Sequence, residues 1–527
     1  MIANPLADVF RHELRRHMGR WPFFCALALM VALTHAMWVD PATGNAMLTV
    51  NQTRVLYDST VMAVMFASNL MVFIGLAGFY LVRGGVREDW TSGMGSILAA
   101  CPASNASLIL GRWLAAIVCL ATLSLAALLT VLVIHAFKVD APIELLVYLR
   151  AWFWMSLPCV LFASGMAVLF DACAPFDSRL GDLLYFGGWM GSAFAMDGFW
   201  KTAGATWNPL LLTDFAGHYS VLVELVRLFG QTGIGVEHSQ FDPQATPLTM
   251  PAGFWSLHLT GLRCIAAAIA VVPLWPSVRC FHRYSPDLLK NAGGSRFGSV
   301  LSFLRRWDKP MDIVNGLSAP FARALRPALT RAARIPGLAG QVVVECLVTF
   351  LLNPIAIPAV LLCWIACLVS DSRSLGAVLL PCLAFWGILI CDIGTRDRQA
   401  GLEKTGAGFP GGMVRAHGRK LLASLVLGLL ICAFVLARWI VEYPTGALAL
   451  LSGLWMCGAA ASLLGRRIGL SRPFLAAFLC SLWMAENLGE LPMLDTFGMH
   501  GLVTANMIAM QFLAGVFLCL DIVSMRE

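Results

Sequence analysis

Charge is what this sequence has least of. Asp, Glu, Lys and Arg make up 13% of its 527 residues, where about a quarter is usual for a soluble globular domain. With 59% apolar residues and a mean hydropathy of +0.76, that shortage excludes a monomer free in water. The pattern G-x-x-x-x-G-K-[ST] is missing, and with it any phosphate loop of the chain's own. Neither G-x-S-x-G nor H-E-x-x-H occurs, which removes the commoner hydrolase readings and argues against a self-contained enzyme. The sixteen cysteines show no paired metal-ligand spacing. Cys363 and Cys367 come closest, but they lie in a wholly apolar run with no second pair nearby, so they read as core thiols and no metal or cofactor is expected in this chain.

What is present is a series of apolar stretches, at 21–39, 60–82, 110–137, 147–170, 180–199 and 254–280, then 354–369, 375–392, 420–440, 445–464, 473–488 and 500–520. At roughly 20 residues per crossing they predict an all-α polytopic membrane protein of about 12 transmembrane helices. Arg11, Arg15, Arg16 and Arg20 precede the first stretch, which is too long for a signal-peptide core and reads as an uncleaved span. The Lys/Arg rule puts those arginines, Arg83 to Arg112, 282–337, Arg396 to Lys420 and Arg466 to Arg472 on one face, the cytoplasmic one. Both termini are then cytoplasmic. The middles of the spans are almost bare of charge, which leaves coupling to an ion gradient without support. Asn69 and Asn506 are the main deep polar groups, candidates for either an interhelical hydrogen bond or a pathway contact.

The two halves repeat a pattern. Glu13 precedes Pro22 by nine positions, and Glu345 precedes Pro354 by the same nine. Each half then has an inner loop with a charged cluster, a Gly, a Pro nine residues later and a Gly-Arg opening the third span. In the first half these are Arg87, Glu88, Asp89, Gly93, Pro102, Gly111 and Arg112; in the second, Arg396, Asp397, Arg398, Gly401, Pro410, Gly418 and Arg419. Agreement in order, spacing and position favours duplication over coincidence. Six spans per half, both starting inside, predict two parallel six-helix repeats, each with an N-terminal elbow helix: 1–281 and 338–527, joined by a linker at 282–337.

On these residues, "FRHELRRHMGRWP" and "REDWTSGMGSILAACPASNASLILGRWL" with their second-half counterparts, the chain resembles the permease subunits of type-2 ATP-binding-cassette (ABC) exporters. The resemblance implies six spans after an elbow helix (Glu13, Pro22; Glu345, Pro354) and a loop between the second and third spans that docks on a separate ATPase subunit. It implies two copies of that ATPase, which would hold the ATP and magnesium, a bacterial inner-membrane location and outward movement of an amphiphilic, peptide, drug-like or lipid-like substrate. Arg87, Glu88, Asp89, Arg396, Asp397 and Arg398 are expected at the ATPase contact, with Gly93, Pro102, Gly401 and Pro410 shaping the loops. No nucleic-acid partner is expected. The alternative is a membrane scaffold or sensor that moves nothing.

Two segments fall outside that plan. The outer insertion 200–253 reads as an exit gate or docking surface for a periplasmic adaptor, or as a lid that only packs on the bundle. The linker holds ten Lys/Arg and three Asp, a net of +7 equal to that of the whole chain. It reads as a contact with anionic lipid or the ATPase, or as a solvated linker.

Overall fold

The computed structural model describes residues 5–173, 176, 179–203, 208–230, 233–281, 320, 323–353, 356–371, 375–399, 412–468, 472–487 and 495–523. They are mostly helical, and the chain divides into two compact units, Met1–Leu289 and Lys290–Glu527.

The first unit opens with an amphipathic helix, α1 (Pro5–Met18), bent by 64° from α2 (Trp21–Ala36). Pro22 stands in the first turn of α2, where a missing N–H costs nothing and the helix cannot be continued backwards through it. Helix α3 (Ser59–Val82) is capped by Asp58, which accepts from Val61 N at 2.8 Å. It is apolar all round and buried almost throughout, as a helix must be when it has no polar face to show. Two short helices follow, α4 (Gly85–Thr91) and α5 (Met94–Ala100), then the long α6 (Asn105–Lys138), capped by Ser104 on Ser107 N at 3.1 Å. Helices α7 (Leu145–Ala172), α8 (Arg179–Ala203), α9 (His218–Phe229), α10 (Leu257–Val271) and α11 (Leu274–Cys280) complete it.

The unit is mostly helical, as expected from sequence, and adds one small sheet that the sequence did not reveal. At the end away from α1, β1 (Asn45–Val50) pairs antiparallel with β2 (Thr53–Arg54) and β3 (Ile234–Gln240) in the order β2-β1-β3. Asn51 and Gln52 turn the hairpin with positive φ at both positions, the geometry that matches strand twist. The strands are short, and β1's longer partner comes from the outer insertion, so a reading by local periodicity has nothing to detect.

The second unit contains α12 (323–332), α13 (Gly337–Leu352), α14 (Ala356–Val369) at 99° to α13, and α15 (Leu375–Ile390). Then come α16 (Arg396–Gln399), α17 (Gly412–Ile431), α18 (Ala433–Glu442), α19 (Pro444–Ile468), α20 (Arg472–Asn487) and α21 (Ala505–Val523). Helix α15, the second long helix counted from the elbow break, is largely buried within its unit, as α3 is in the first.

Each of the twelve apolar stretches contains helix. By length and hydropathy, five helices among the described residues can cross a membrane, or up to eight if each bent pair is one span. The count of twelve is not reached, because α15, Arg472–Ala485 and Ala505–Cys519 are short and α8 interrupts its apolar run with Asp182 and Asp197.

Candidate functional site

Helix α1 lies along the start of α6, and Gly111 makes the approach possible: a Cβ there would sit 2.8 Å from Val9 Cγ1 and 3.1 Å from the Leu6 carbonyl. Across this seam Glu13 is 2% exposed. Its carboxylate meets Arg112 Nε at 3.2 Å and Arg16 at 2.5 Å. Arg112 also pairs with Asp89 of α4, and Arg16 reaches the same carboxylate at 3.4 Å. Further out, Arg20 pairs with Glu88. Elbow, inner loop and third long helix are thus joined by one buried, charge-balanced cluster. Burial pushes the Glu13 carboxyl above its usual value, against the pull of Arg112 and then Arg16. Burial first, and then Arg16, Arg20 and Arg112, hold the His17 ring down at about 3, so it is neutral at pH 7.

A second set of charges closes the same end of this unit. Arg83, after α3, pairs with Asp171 at 3.6 Å and with Asp182. Asp171 also accepts from Gly84 N and Gly85 N at 2.7 and 2.9 Å. This fixes the start of α4, whose Gly85 carbonyl accepts from Arg16 at 3.4 Å. Gly93 takes φ +78° between α4 and α5, a left-handed turn suited to glycine. Under α5, Leu98 packs on Ala103, Leu108, Ile109, Val168, Ala172 and Phe281. Met94 and Ile97 of the same helix are exposed, Ile97 at 63%.

The second unit repeats the central pair. Glu345 of α13 meets Arg419 Nε at 3.4 Å, as Glu13 meets Arg112 Nε. Arg396 joins Glu345 at 3.7 Å and Asp392 at 3.0 Å, and donates to Thr349 Oγ1 at 2.7 Å. Lys420 pairs with Asp397 at 2.6 Å.

Several expected contact residues are therefore held within their own units. Asp89, 4% exposed, is taken by Arg112 and Arg16, so it cannot present its charge to a partner chain. Glu88 is committed to Arg20, and Arg396 to Glu345 and Asp392. Arg87 is exposed, Asp397 is half-buried beside Lys420, and Pro102 is exposed in the turn before α6. Pro354, Gly401 and Pro410 lie outside the described residues, as does the side chain of Arg398.

At the opposite end of the first unit the insertion packs into the helices, and the chemistry there was not expected from sequence. Pro158 inside α7 has no N–H for the Trp154 carbonyl one turn back. Arg263 of α10, fully buried, supplies the missing donor: its Nε bonds Trp154 O at 3.1 Å, and its Nη atoms bond the Asp214 and Phe215 carbonyls of the insertion. Asp214 accepts from Gly217 N at 2.9 Å and Ser220 N at 2.7 Å, capping α9. Phe215 stacks on Phe162 of α7 at 3.9 Å. His218 Nδ1 lies 3.0 Å from Asn69 Oδ1, about 15 Å along α3 from its start. Burial lowers the His218 pKa, with Asp214 opposing. Arg263, seven residues into the candidate span Leu257–Cys280, is a buried charge the sequence reading did not single out, and the in-helix Pro158 was the signal for it. Asn69 thus bonds the insertion through His218. Asn506 is not deep, since it stands exposed in the first turn of α21.

Among the described residues no group of His, Cys, Asp and Glu is arranged to hold a metal ion. An apolar groove of about 600 Å³ lies between α17, α19 and α21, lined by residues including Leu429, Leu451, Trp455, Ile508 and Phe512. Comparison with protein-family models, curated proteins and solved structures found no match.

Proposed function

We propose that the chain is the transmembrane permease subunit of an ATP-driven exporter, with two six-span halves fused in one polypeptide and hydrolysis performed by a separate ATPase subunit, bound in two copies. One observation carries the reading: in both units a glutamate of the elbow helix is held by the Nε of the arginine that opens the third long helix. The inner loops are tied to the same clusters, through Asp89 in one unit and Arg396 in the other. A push on either loop is then delivered to the elbow and to a membrane helix together. Coupling of this kind requires the loops to fit two states of the ATPase with different free energy. In the first unit the docking surface includes Arg87, Met94 and Ile97, which are exposed, and not Asp89.

The layout proposed with it is that drawn from sequence: both termini in the cytoplasm, the halves parallel, and an amphiphilic, peptide, drug-like or lipid-like cargo. The test is co-purification of the full chain with a nucleotide-binding subunit that hydrolyses ATP faster in its presence. Arg87→Glu with Ile97→Asp is expected to remove that stimulation while leaving insertion intact. Stimulation and export unchanged by the double substitution would overturn the assignment. A complex that assembles but never hydrolyses ATP or moves cargo would favour the scaffold reading.

A further inference from the structure

A strongly charged surface that the proposed function leaves unused lies at the start of the described residues of the second unit. From Ile313 to Val344 the chain has no Asp or Glu and four arginines. Helix α12 sorts them by face. Leu325, Ala328, Leu329 and Ala332 recur at the i, i+3, i+4, i+7 spacing of one helical stripe; Ala332 is buried and the others are half-buried. Arg323, Arg326 and Arg331 occupy the other side and are exposed, and Arg334 is exposed in the turn that follows. Directly after this come exposed aliphatic side chains: Ile335 at 49%, Leu338 at 39%, and Val343 and Leu352 on α13.

We propose that residues 323–338 bind the head groups of anionic phospholipids, with Arg326, Arg331 and Arg334 on the phosphates and Ile335 and Leu338 dipping below them. The order of side chains is the argument. A cationic face passing within a few residues into exposed aliphatics matches the layering of a leaflet, charge outside and hydrocarbon beneath. A soluble protein partner would cover the arginines but has no reason to cover an aliphatic face that continues along α13 into the bent pair with α14. Arginine's planar fork suits a phosphodiester, and its propyl stem can lie along the apolar surface. Each basic residue near an anionic leaflet contributes roughly a fivefold preference, so three together favour anionic over zwitterionic lipid on the order of a hundredfold at low salt.

The experiment uses the full-length chain in nanodiscs of phosphatidylcholine alone or with one-third phosphatidylglycerol, with trypsin cleavage after Arg331 and Arg334 followed by mass spectrometry. Arg326 precedes Pro327 and is a poor site. Cleavage after exposed Arg87 is the internal control. Phosphatidylglycerol is expected to slow both cuts at least tenfold relative to the control, and 0.5 M salt to restore them, since screening removes attraction at an exposed surface. As a second readout, R326Q/R331Q/R334Q is expected to lose the excess of phosphatidylglycerol that co-purifies with the wild-type chain. Equal cutting in the two lipids overturns the proposal, and so does protection that ignores lipid charge and salt. Protection that arises only when the ATPase subunit is added assigns the surface to that protein instead and also overturns it.

Discussion

The two elbow regions share one ion pair and differ in nearly everything around it. Glu13 and Glu345 each meet the Nε of an arginine at the start of the third long helix. Counted from those glutamates, Arg16 and Arg20 of the first elbow stand where the second has Val348 and Leu352. Counted from Gly93 and Gly401, Glu88 of the first loop stands where the second has Arg396. The loop's charge has changed sign together with the elbow's. Where the elbow is cationic the loop offers a carboxylate to Arg20, and where the elbow's only charge is Glu345 the loop offers Arg396 to it. What is kept is neutralisation at the seam, which buried charge requires, and not a particular set of residues. The first elbow is also the closer packed, since Gly111 admits Val9 and Leu6 while a Cβ at Gly418 would meet nothing within 4 Å.

The largest difference is expected on removing the shared arginine from each side. Arg112→Met leaves Arg16 alone to neutralise two buried carboxylates, Glu13 and Asp89, an uncompensated buried charge that costs about 3–5 kcal/mol. Arg419 is 28% exposed and leaves Glu345 still paired with Arg396, so Arg419→Met should cost at most about 1 kcal/mol. Thermal unfolding of the purified full-length chain, followed by tryptophan fluorescence, measures both. Equal losses would mean that the two elbows are energetically alike despite their different surroundings.

Next in size is the glycine pair, for which the signs are opposite. Gly111→Ala drives a methyl into Val9 and the Leu6 carbonyl, an overpacking of about 1–3 kcal/mol. Gly418→Ala meets open space inside α17 and should stabilise by up to about 1 kcal/mol through helix propensity. If both substitutions destabilise, the second elbow is packed as tightly as the first.

The sequence pointed to the members of these clusters more clearly than to their roles. Equal spacing to a proline picked out Glu13 with Glu345, and Gly-Arg pairs whose offsets from Gly93 and Gly401 differ by one residue picked out Arg112 with Arg419. The sequence placed Asp89 and Glu88 at a contact with a partner, because the resemblance assigns the loop that carries them to docking. Their partners, Arg112 and Arg16 or Arg20, are distant in the chain, and only the packing of α1 on α6 brings them close. Arg263 was missed for a related reason: one charge in an apolar run looks like a span's end until the broken ladder at Pro158 supplies its partner. The apolar stretches were legible because each carries its own periodicity, whereas the sheet needs β1 to find β3 across most of the first unit.

Acid should separate the elbows by a smaller amount. His17 is held at about 3 by burial and the neighbouring arginines, so the folded state keeps it neutral while the unfolded chain takes up a proton near 6.5. The stability this contributes is complete above pH 6.5 and is lost as pH falls from 6.5 towards 3, at about 1.4 kcal/mol per unit once well below 6.5. His17→Gln should flatten that slope in the unfolding temperature between pH 6.5 and 5. The second elbow helix has no histidine between Gly337 and Leu352, so that helix should not contribute such a slope. An unaltered slope in the variant would place the acid sensitivity elsewhere, with His218 the next group to replace, since burial lowers its pKa too.

The smallest effect is expected at the outer edge of the first elbow. Arg20 and Glu88 are 39% and 33% exposed, so water screens their attraction and the pair is worth less than about 1 kcal/mol. Arg20→Gln should therefore lower the unfolding temperature only slightly, and the difference from wild type should vanish in 0.5 M salt, while the loss from Arg112→Met persists because its charges are shielded from solvent ions. Glu88 would then be free to turn outward beside Arg87, so under the proposed function ATPase stimulation should change more than stability does. A salt-resistant loss as large as that of Arg112→Met would mean that the elbow is held as one cooperative unit out to Arg20, and the graded contrast between its buried and exposed pairs would fail.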